Sequence, residues 1–115
     1  HPPFEVRLSG VGSFEKRGQP SAVWAGVAPA ASPARLHKKI DAALVRVGLE
    51  PERRAYLPHI TLARLGRNAG SIRGFLEQAG DLSGPPFTVS DFLLYESDLT
   101  AEAALYTIVE RYPLG

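Results

Sequence analysis

The stretch Pro58-His59-Ile60-Thr61-Leu62-Ala63-Arg64 holds the residues whose types and spacing could do chemistry. An imidazole is followed two residues later by a hydroxyl, inside an apolar run that reads as a strand. Successive strand side chains point to opposite faces. His59 and Thr61 therefore share one face, and Ile60 and Leu62 the other. One face can pack into a core while the other presents a proton carrier beside a hydroxyl. Imidazole, with an ordinary pKa of about 6.5, can take or give a proton near neutral pH.

Composition sets the frame in which this stretch must work. The chain has 115 residues, near the common size of a single domain, and is read as one domain over 1–115. Its 13 basic and 12 acidic residues leave a formal charge of +1. That argues against coating nucleic acid through bulk charge, yet leaves room for recognising one phosphate or one strand end. With no cysteine there is no disulfide framework and no thiolate metal site, which fits a reducing cytoplasm. The three histidines, at positions 1, 37 and 59, lack metal-ligand spacing, so no metal site is expected, and no other cofactor is expected either. The apolar runs fall short of the roughly 20 residues that span a bilayer. The N-terminus lacks the pattern of a signal peptide. No methionine opens the chain, which reads as a processed or excised piece of something longer.

The elements that must position His59 follow from periodicity. Phe4, Val6 and Leu8 alternate with Glu5, Arg7 and Ser9 as a half-buried strand. Gly10, Gly12, Gly18 and Pro20 predict a long turn that carries Glu15, Lys16 and Arg17. Ala22 to Val27 is apolar on both faces and reads as a central strand. Its Trp24 reads as a core or cleft-wall aromatic rather than a base-stacking platform. Ser32 as N-cap and Pro33 as first residue open a helix whose apolar stripe is Leu36, Ile40, Leu44 and Val47, stopped by Gly48. Arg35, His37, Lys38 and Lys39 read as its solvated basic face. Leu49 to Leu57 is a polar loop, and Gly66 to Gly70 a turn. Ile72, Phe75, Leu76 and Ala79 predict a second helix ended by Gly80. Phe87 to Tyr95 is a long strand, Glu96 to Glu102 a turn, and Tyr106 to Tyr112 a last strand ended by Pro113. The order predicts an α+β fold, a mostly antiparallel sheet with two helices packed on one side.

Residues 2–6 read Pro-Pro-Phe-Glu-Val, and residues 85–89 read Pro-Pro-Phe-Thr-Val. Taken as a repeat, the pair closes two units of one pattern. The second unit is complete, with strands at Val23, His59 and Phe87 and helices at Leu36 and Ile72. The first survives only as its final strand. Its missing part would then hold an equivalent of the His59 strand.

Pro58 to Arg64 resembles the second His-x-Thr-x motif of the two-histidine (2H) phosphoesterases, here His59, Ile60, Thr61 and Leu62. Most similar are the RNA 2′,3′-cyclic phosphodiesterases, the bacterial 2′-5′ RNA ligase-like proteins. Pro3 to Gly12, Val23 to Val27, Leu94 to Ser97 and Tyr106 to Leu114 resemble the same proteins in the same order. Family members carry two such motifs, one in each half of a bilobal fold with approximate two-fold symmetry. Here Pro2-Pro3 follows His1 and Lys38-Lys39 follows His37, so neither supplies the first motif. The resemblance thus implies the C-terminal portion of a 2H enzyme or a shortened relative.

The resemblance also implies a chemistry. Two histidines flank a cyclic phosphate held by two hydroxyls, and a 2′-phosphate end is left without help from a metal. His59 becomes the proton acceptor and Thr61 a phosphate hydrogen-bond donor, with 2′-5′ RNA ligation as a further activity. Arg64 matches the motif, but strand parity puts it on the face of Ile60 and Leu62. Only a strand end or a bulge would let it reach phosphate. Lys16, Arg17, Arg53 and Arg54 are candidates for RNA backbone contacts. Expected partners are RNA with a 2′,3′-cyclic phosphate end or a cyclic nucleotide, and a second copy or an N-terminal segment that completes the site. The competing expectation is a non-catalytic module that binds a nucleotide or RNA end, or dimerises.

Overall fold

A two-residue turn, Arg17-Gly18, joins β1 (Phe4–Lys16) to β2 (Gln19–Ala28). Both turn residues have positive φ, 56° and 77°, as in a type I′ turn, whose twist matches that of the strands it connects. The computed structural model describes residues 1–66, 70–100 and 103–115. The chain divides into two units, residues 6–87 and residues 1–5 with 88–115.

The long turn predicted from Gly10 to Pro20 is therefore replaced by strand. Gly10 (φ 71°) sits at a bulge in β1, between the pairs Leu8 with Val27 and Val11 with Ala25. Gly12 pairs directly with Trp24, and a Cβ at Gly12 would lie 2.3 Å from the indole. The indole thus lies against the backbone of β1. Glycines in a strand can mark a bulge or a close approach as well as a turn.

β2 is central, as its two apolar faces predict. The sheet order is β3-β2-β1-β4, with β3 (His59–Arg64) and β4 (Phe87–Val89) at the edges. Val23 and Ala25 on one face of β2 are buried, at 6% and 1% exposure, and Val6 of β1 is buried with 3%. The other face of β2 carries Ala22, Trp24 and Gly26.

Helix α1 (Ala31–Arg46) starts ahead of its predicted N-cap. Ala30 occupies the cap position without a side-chain bond, and the Ser32 hydroxyl instead accepts from the Arg35 guanidinium at 3.0 Å. Pro33 is tolerated inside the first turn because those amides have no intrahelical partner to lose. Gly48 ends the helix as predicted, with φ 101°. The Gly48 amide donates to the Val45 carbonyl at 3.0 Å and the Leu49 amide to the Leu44 carbonyl at 3.1 Å, a Schellman closure. Leu36 and Ile40 of the predicted stripe are half-buried, whereas Leu44 and Val47 are exposed.

Helix α2 (Arg73–Ala79) falls where its pattern predicts. The segment after it is tied to β1, where the Gly10 amide donates to Leu82 at 2.7 Å and the Gly84 amide to Leu8 at 3.0 Å. The turn predicted over Gly66 to Gly70 lies largely outside the described residues.

In the other unit, β5 (Asp91–Leu99) and β6 (Ala104–Pro113) form an antiparallel hairpin. Phe92 stacks on its cross-strand partner Tyr112 at 4.8 Å, and Arg111 pairs with Asp91. The strand predicted over Phe87 to Tyr95 is broken at Ser90. β5 then runs on to Leu99, so residues 96–99 pair instead of turning. Thr100 closes the hairpin: its amide donates to the Ala103 carbonyl at 2.9 Å, and its hydroxyl accepts from the Ala103 amide at 3.1 Å. Residues 101 and 102 of the predicted turn lie outside the described residues. Helices and antiparallel ladders together make an α+β fold. No helix among the described residues is long and apolar enough to cross a membrane.

The Gly12–Trp24 contact is open to test. Gly12→Ala should destabilise the fold by about 1–3 kcal/mol, the usual cost of overpacking. Urea unfolding followed by Trp24 fluorescence measures this, and an unchanged midpoint would contradict the contact.

Candidate active site on the edge strand

β3 pairs with β2 through His59 opposite Gly26, Ile60 opposite Ala25, Thr61 opposite Trp24, Ala63 opposite Val23 and Arg64 opposite Ala22. One step along β2, from Trp24 to Val23, corresponds to two steps along β3, from Thr61 to Ala63. Leu62 is thus the extra residue of a β-bulge. Directly paired residues project to the same side of a sheet. Ala22, Trp24 and Gly26 alternate onto one face of β2, so His59, Thr61 and Arg64 share that face. Simple alternation put Arg64 on the opposite side, and the bulge reverses its parity.

The His59 ring is held by three groups. Its Nδ1 lies 2.7 Å from the Leu57 carbonyl oxygen. A carbonyl can only accept, so Nδ1 carries the proton and Nε2 presents a lone pair. The Phe14 ring meets the imidazole edge-to-face at 4.9 Å, and Trp24 lies tilted at 6.1 Å. Phe14 and Trp24 also contact each other, with centroids 5.7 Å apart. Trp24, read from the sequence as a core or cleft-wall aromatic, packs against both Phe14 and the imidazole. Its Nε1 is buried without a hydrogen-bond partner among the described residues, so packing alone holds the indole.

The Thr61 hydroxyl and the Arg64 guanidinium make no hydrogen bond or ion pair among the described residues, and both residues are exposed. The face therefore presents one acceptor nitrogen, one hydroxyl and one unpaired cation. A proton acceptor beside donors for anionic oxygens suits acid–base chemistry on a phosphate ester. Among the described residues, no three His, Cys, Asp or Glu side chains converge to hold a metal ion.

A cavity of about 770 Å³ adjoins His59, bordered by Phe14, Lys16, His37, Arg54 and Tyr56. His37 was read as part of a solvated basic face. It is half-buried, with its ring stacked on Tyr56 at 4.2 Å and 12°. Burial pushes the Tyr56 phenol above its ordinary value, so it stays neutral. The Glu52 carboxylate accepts the amides of Arg53 and Arg54, both at 3.1 Å, and shapes the loop. Arg53 turns to Glu50 at 3.7 Å. Lys16, Arg17 and Arg54 form no ion pair among the described residues.

Sequence alone misses Phe14 and Tyr56. Phe14 fell inside a predicted turn, because the glycines before and after it read as turn residues. Tyr56 sat in a polar loop with no periodicity to mark it. His1 belongs to the other unit, its Nδ1 at 2.7 Å from the carbonyl oxygen of the adjacent Pro2.

Fold and site together have the architecture of a two-histidine phosphoesterase, with one of its histidine strands present. The chain belongs to the 2′-5′ RNA ligase superfamily, whose family model matches residues 1–101. It is similar to the RNA 2′,3′-cyclic phosphodiesterase of Aeropyrum pernix, with 32% identity over 106 residues, covering 90% of this chain and 60% of that protein. The protein of the same name from Thermus thermophilus is 32% identical over 118 residues, covering 97% of this chain and 56% of its own length. A crystal structure of a Thermus thermophilus protein superposes with a TM-score of 0.79 at 27% identity, covering 98% of this chain and 61% of that one. A structure described as a phosphoesterase gives 0.73 at 25% identity, covering 98% of this chain and 60% of that one. The chain therefore spans about 60% of the length of these four proteins.

The tautomer of His59 can be read directly. Nitrogen chemical shifts of the neutral imidazole should place the proton on Nδ1, and Leu57 should hold it there. A proton found on Nε2 would remove the acceptor from the site.

Proposed function

We propose that this chain acts on RNA ends bearing a 2′,3′-cyclic phosphate and opens them to a 2′-phosphate. The observation that carries this reading is the bulge at Leu62, which brings His59, Thr61 and Arg64 to one face. Membership of the superfamily and the names of the relatives support it.

In the proposed reaction, water attacks phosphorus and the bond from phosphorus to the 3′-oxygen breaks. His59 Nε2 takes the proton of the attacking water. Thr61 and Arg64 hydrogen-bond the phosphoryl oxygens, where negative charge builds up. The departing 3′-oxygen needs a proton from a second acid. A ribose 5′-hydroxyl in place of water would give 2′-5′ ligation by the same steps. We assign the second acid to a histidine outside this chain, from an N-terminal segment or a second copy. The apolar surface of Ile60 and Leu62 on β3, 46% and 52% exposed, offers such a partner a contact. The cytoplasm is the compartment we assign, on the absence of cysteine.

The test is an oligoribonucleotide ending in a 2′,3′-cyclic phosphate, incubated with the chain in the presence of a chelator. A 2′-phosphate product is expected, and a 3′-phosphate product would refute the reading. His59→Ala should lower the rate by about 10²-fold or more, the usual contribution of a general acid–base group. Arg64→Ala should lower it by about 10- to 100-fold, the worth of a charged hydrogen bond.

Sedimentation across a wide concentration range tests the second-copy route. Self-association is expected, and a strictly monomeric profile would leave only the N-terminal segment as the source of the second acid.

A further inference from the structure

Among the described residues, β5 and β6 pair only with each other, as a sheet of two strands. A hairpin without a third strand needs its apolar face covered to be stable in water. The register sorts its side chains onto two faces of opposite character. Tyr95 pairs with Ile108, Ser97 with Tyr106 and Leu99 with Ala104, so Tyr95, Leu99, Tyr106 and Ile108 share one face. Glu96 pairs with Thr107 and Leu94 with Glu110, so Glu96, Asp98 and Glu110 share the other. Val109 is the extra residue of a bulge: one step along β5, from Leu94 to Tyr95, matches two along β6, from Glu110 to Ile108. Without it the glutamate would fall among the tyrosines.

We infer that a second copy of this chain covers the tyrosine face, the two hairpins stacking about a two-fold axis. Three features assign the occupant. First, a two-fold contact brings a surface against itself, so the surface must be self-complementary. The tyrosine face meets this condition: its charged residues, Asp91 and Arg111 at one end, are paired with each other. The opposite face does not, because Glu96, Asp98 and Glu110 form no ion pair among the described residues and would repel their own copies. Second, the area is sufficient. Tyr95, Leu99, Tyr106 and Ile108 are between 47% and 85% exposed. They present on the order of 500 Å² per copy, so two such faces bury about 1,000 Å², the lower bound for a specific interface. Third, the residue types suit an interface core, where tyrosine is enriched and acidic residues are depleted. The Tyr95 and Tyr106 rings already meet edge-to-face at 6.2 Å, which fixes the shape the second copy meets. The contact uses none of the groups in the proposed reaction, so it stands or falls separately.

The test is sedimentation equilibrium on the whole chain and its variants, each checked for an unchanged circular dichroism spectrum. The unaltered chain should form a dimer and no larger species, with a micromolar dissociation constant, as an interface of this size gives. Tyr106→Lys and Leu99→Lys should each weaken the dimer by about tenfold or more, because two like charges then meet in the contact. Leu99 is the more exposed of the two, so its replacement disturbs the hairpin itself least. Thr107→Lys, one residue along β6 and on the opposite face, should leave the dimer unchanged. A monomer at every concentration would overturn the second copy as occupant. A dimer that Tyr106→Lys and Leu99→Lys leave intact, or that Thr107→Lys weakens equally, would place the contact elsewhere and overturn the tyrosine face. Growth into an open series of oligomers would overturn the two-fold axis, since a two-fold contact closes on itself.

Discussion

Five cross-strand pairs hold β3 against β2, and one of the steps between them is uneven. At that step the bulge at Leu62 absorbs an extra residue, and the parity of everything beyond it changes. Without the bulge, the guanidinium of Arg64 would share a face with Ile60. With it, the guanidinium joins the imidazole of His59 and the hydroxyl of Thr61. Side-chain period in a strand is two, so a single inserted residue is the smallest change that can bring Arg64 to their side. β3 is also an edge strand. Bulges and charged side chains at an edge discourage pairing with a foreign strand, so the same irregularity serves both the site and the integrity of the sheet.

The floor under the site is equally specific. Trp24 lies against Gly12, and only a residue without Cβ leaves room for the indole there. The indole and Phe14 then wall the imidazole, while the Leu57 carbonyl selects its tautomer. The result is an imidazole fixed in orientation and tautomer before any ligand arrives, which is how positioned groups gain over free ones. The contacts come from three separate parts of the chain, the first hairpin, the loop before β3 and β3 itself.

Local spacing in the sequence was enough to place β3, β2, both helices and the shared face of His59 and Thr61. Each rests on short-range periodicity, which a single stretch of chain contains in full. The ordered resemblance to the two-histidine phosphoesterases added the family. The extent of the first hairpin was hidden, because Gly10 and Gly12 look like turn residues until the partner strand shows a bulge at one and an indole at the other. The position of Arg64 was undecidable for the same reason: a bulge is a property of two strands, and a one-strand pattern cannot register it. The stack of His37 on Tyr56 and the wall formed by Phe14 likewise join residues distant in sequence. The sequence by itself thus singled out the candidate groups, and the tertiary structure decided which of them face one another, because register, close approach and stacking exist only between segments.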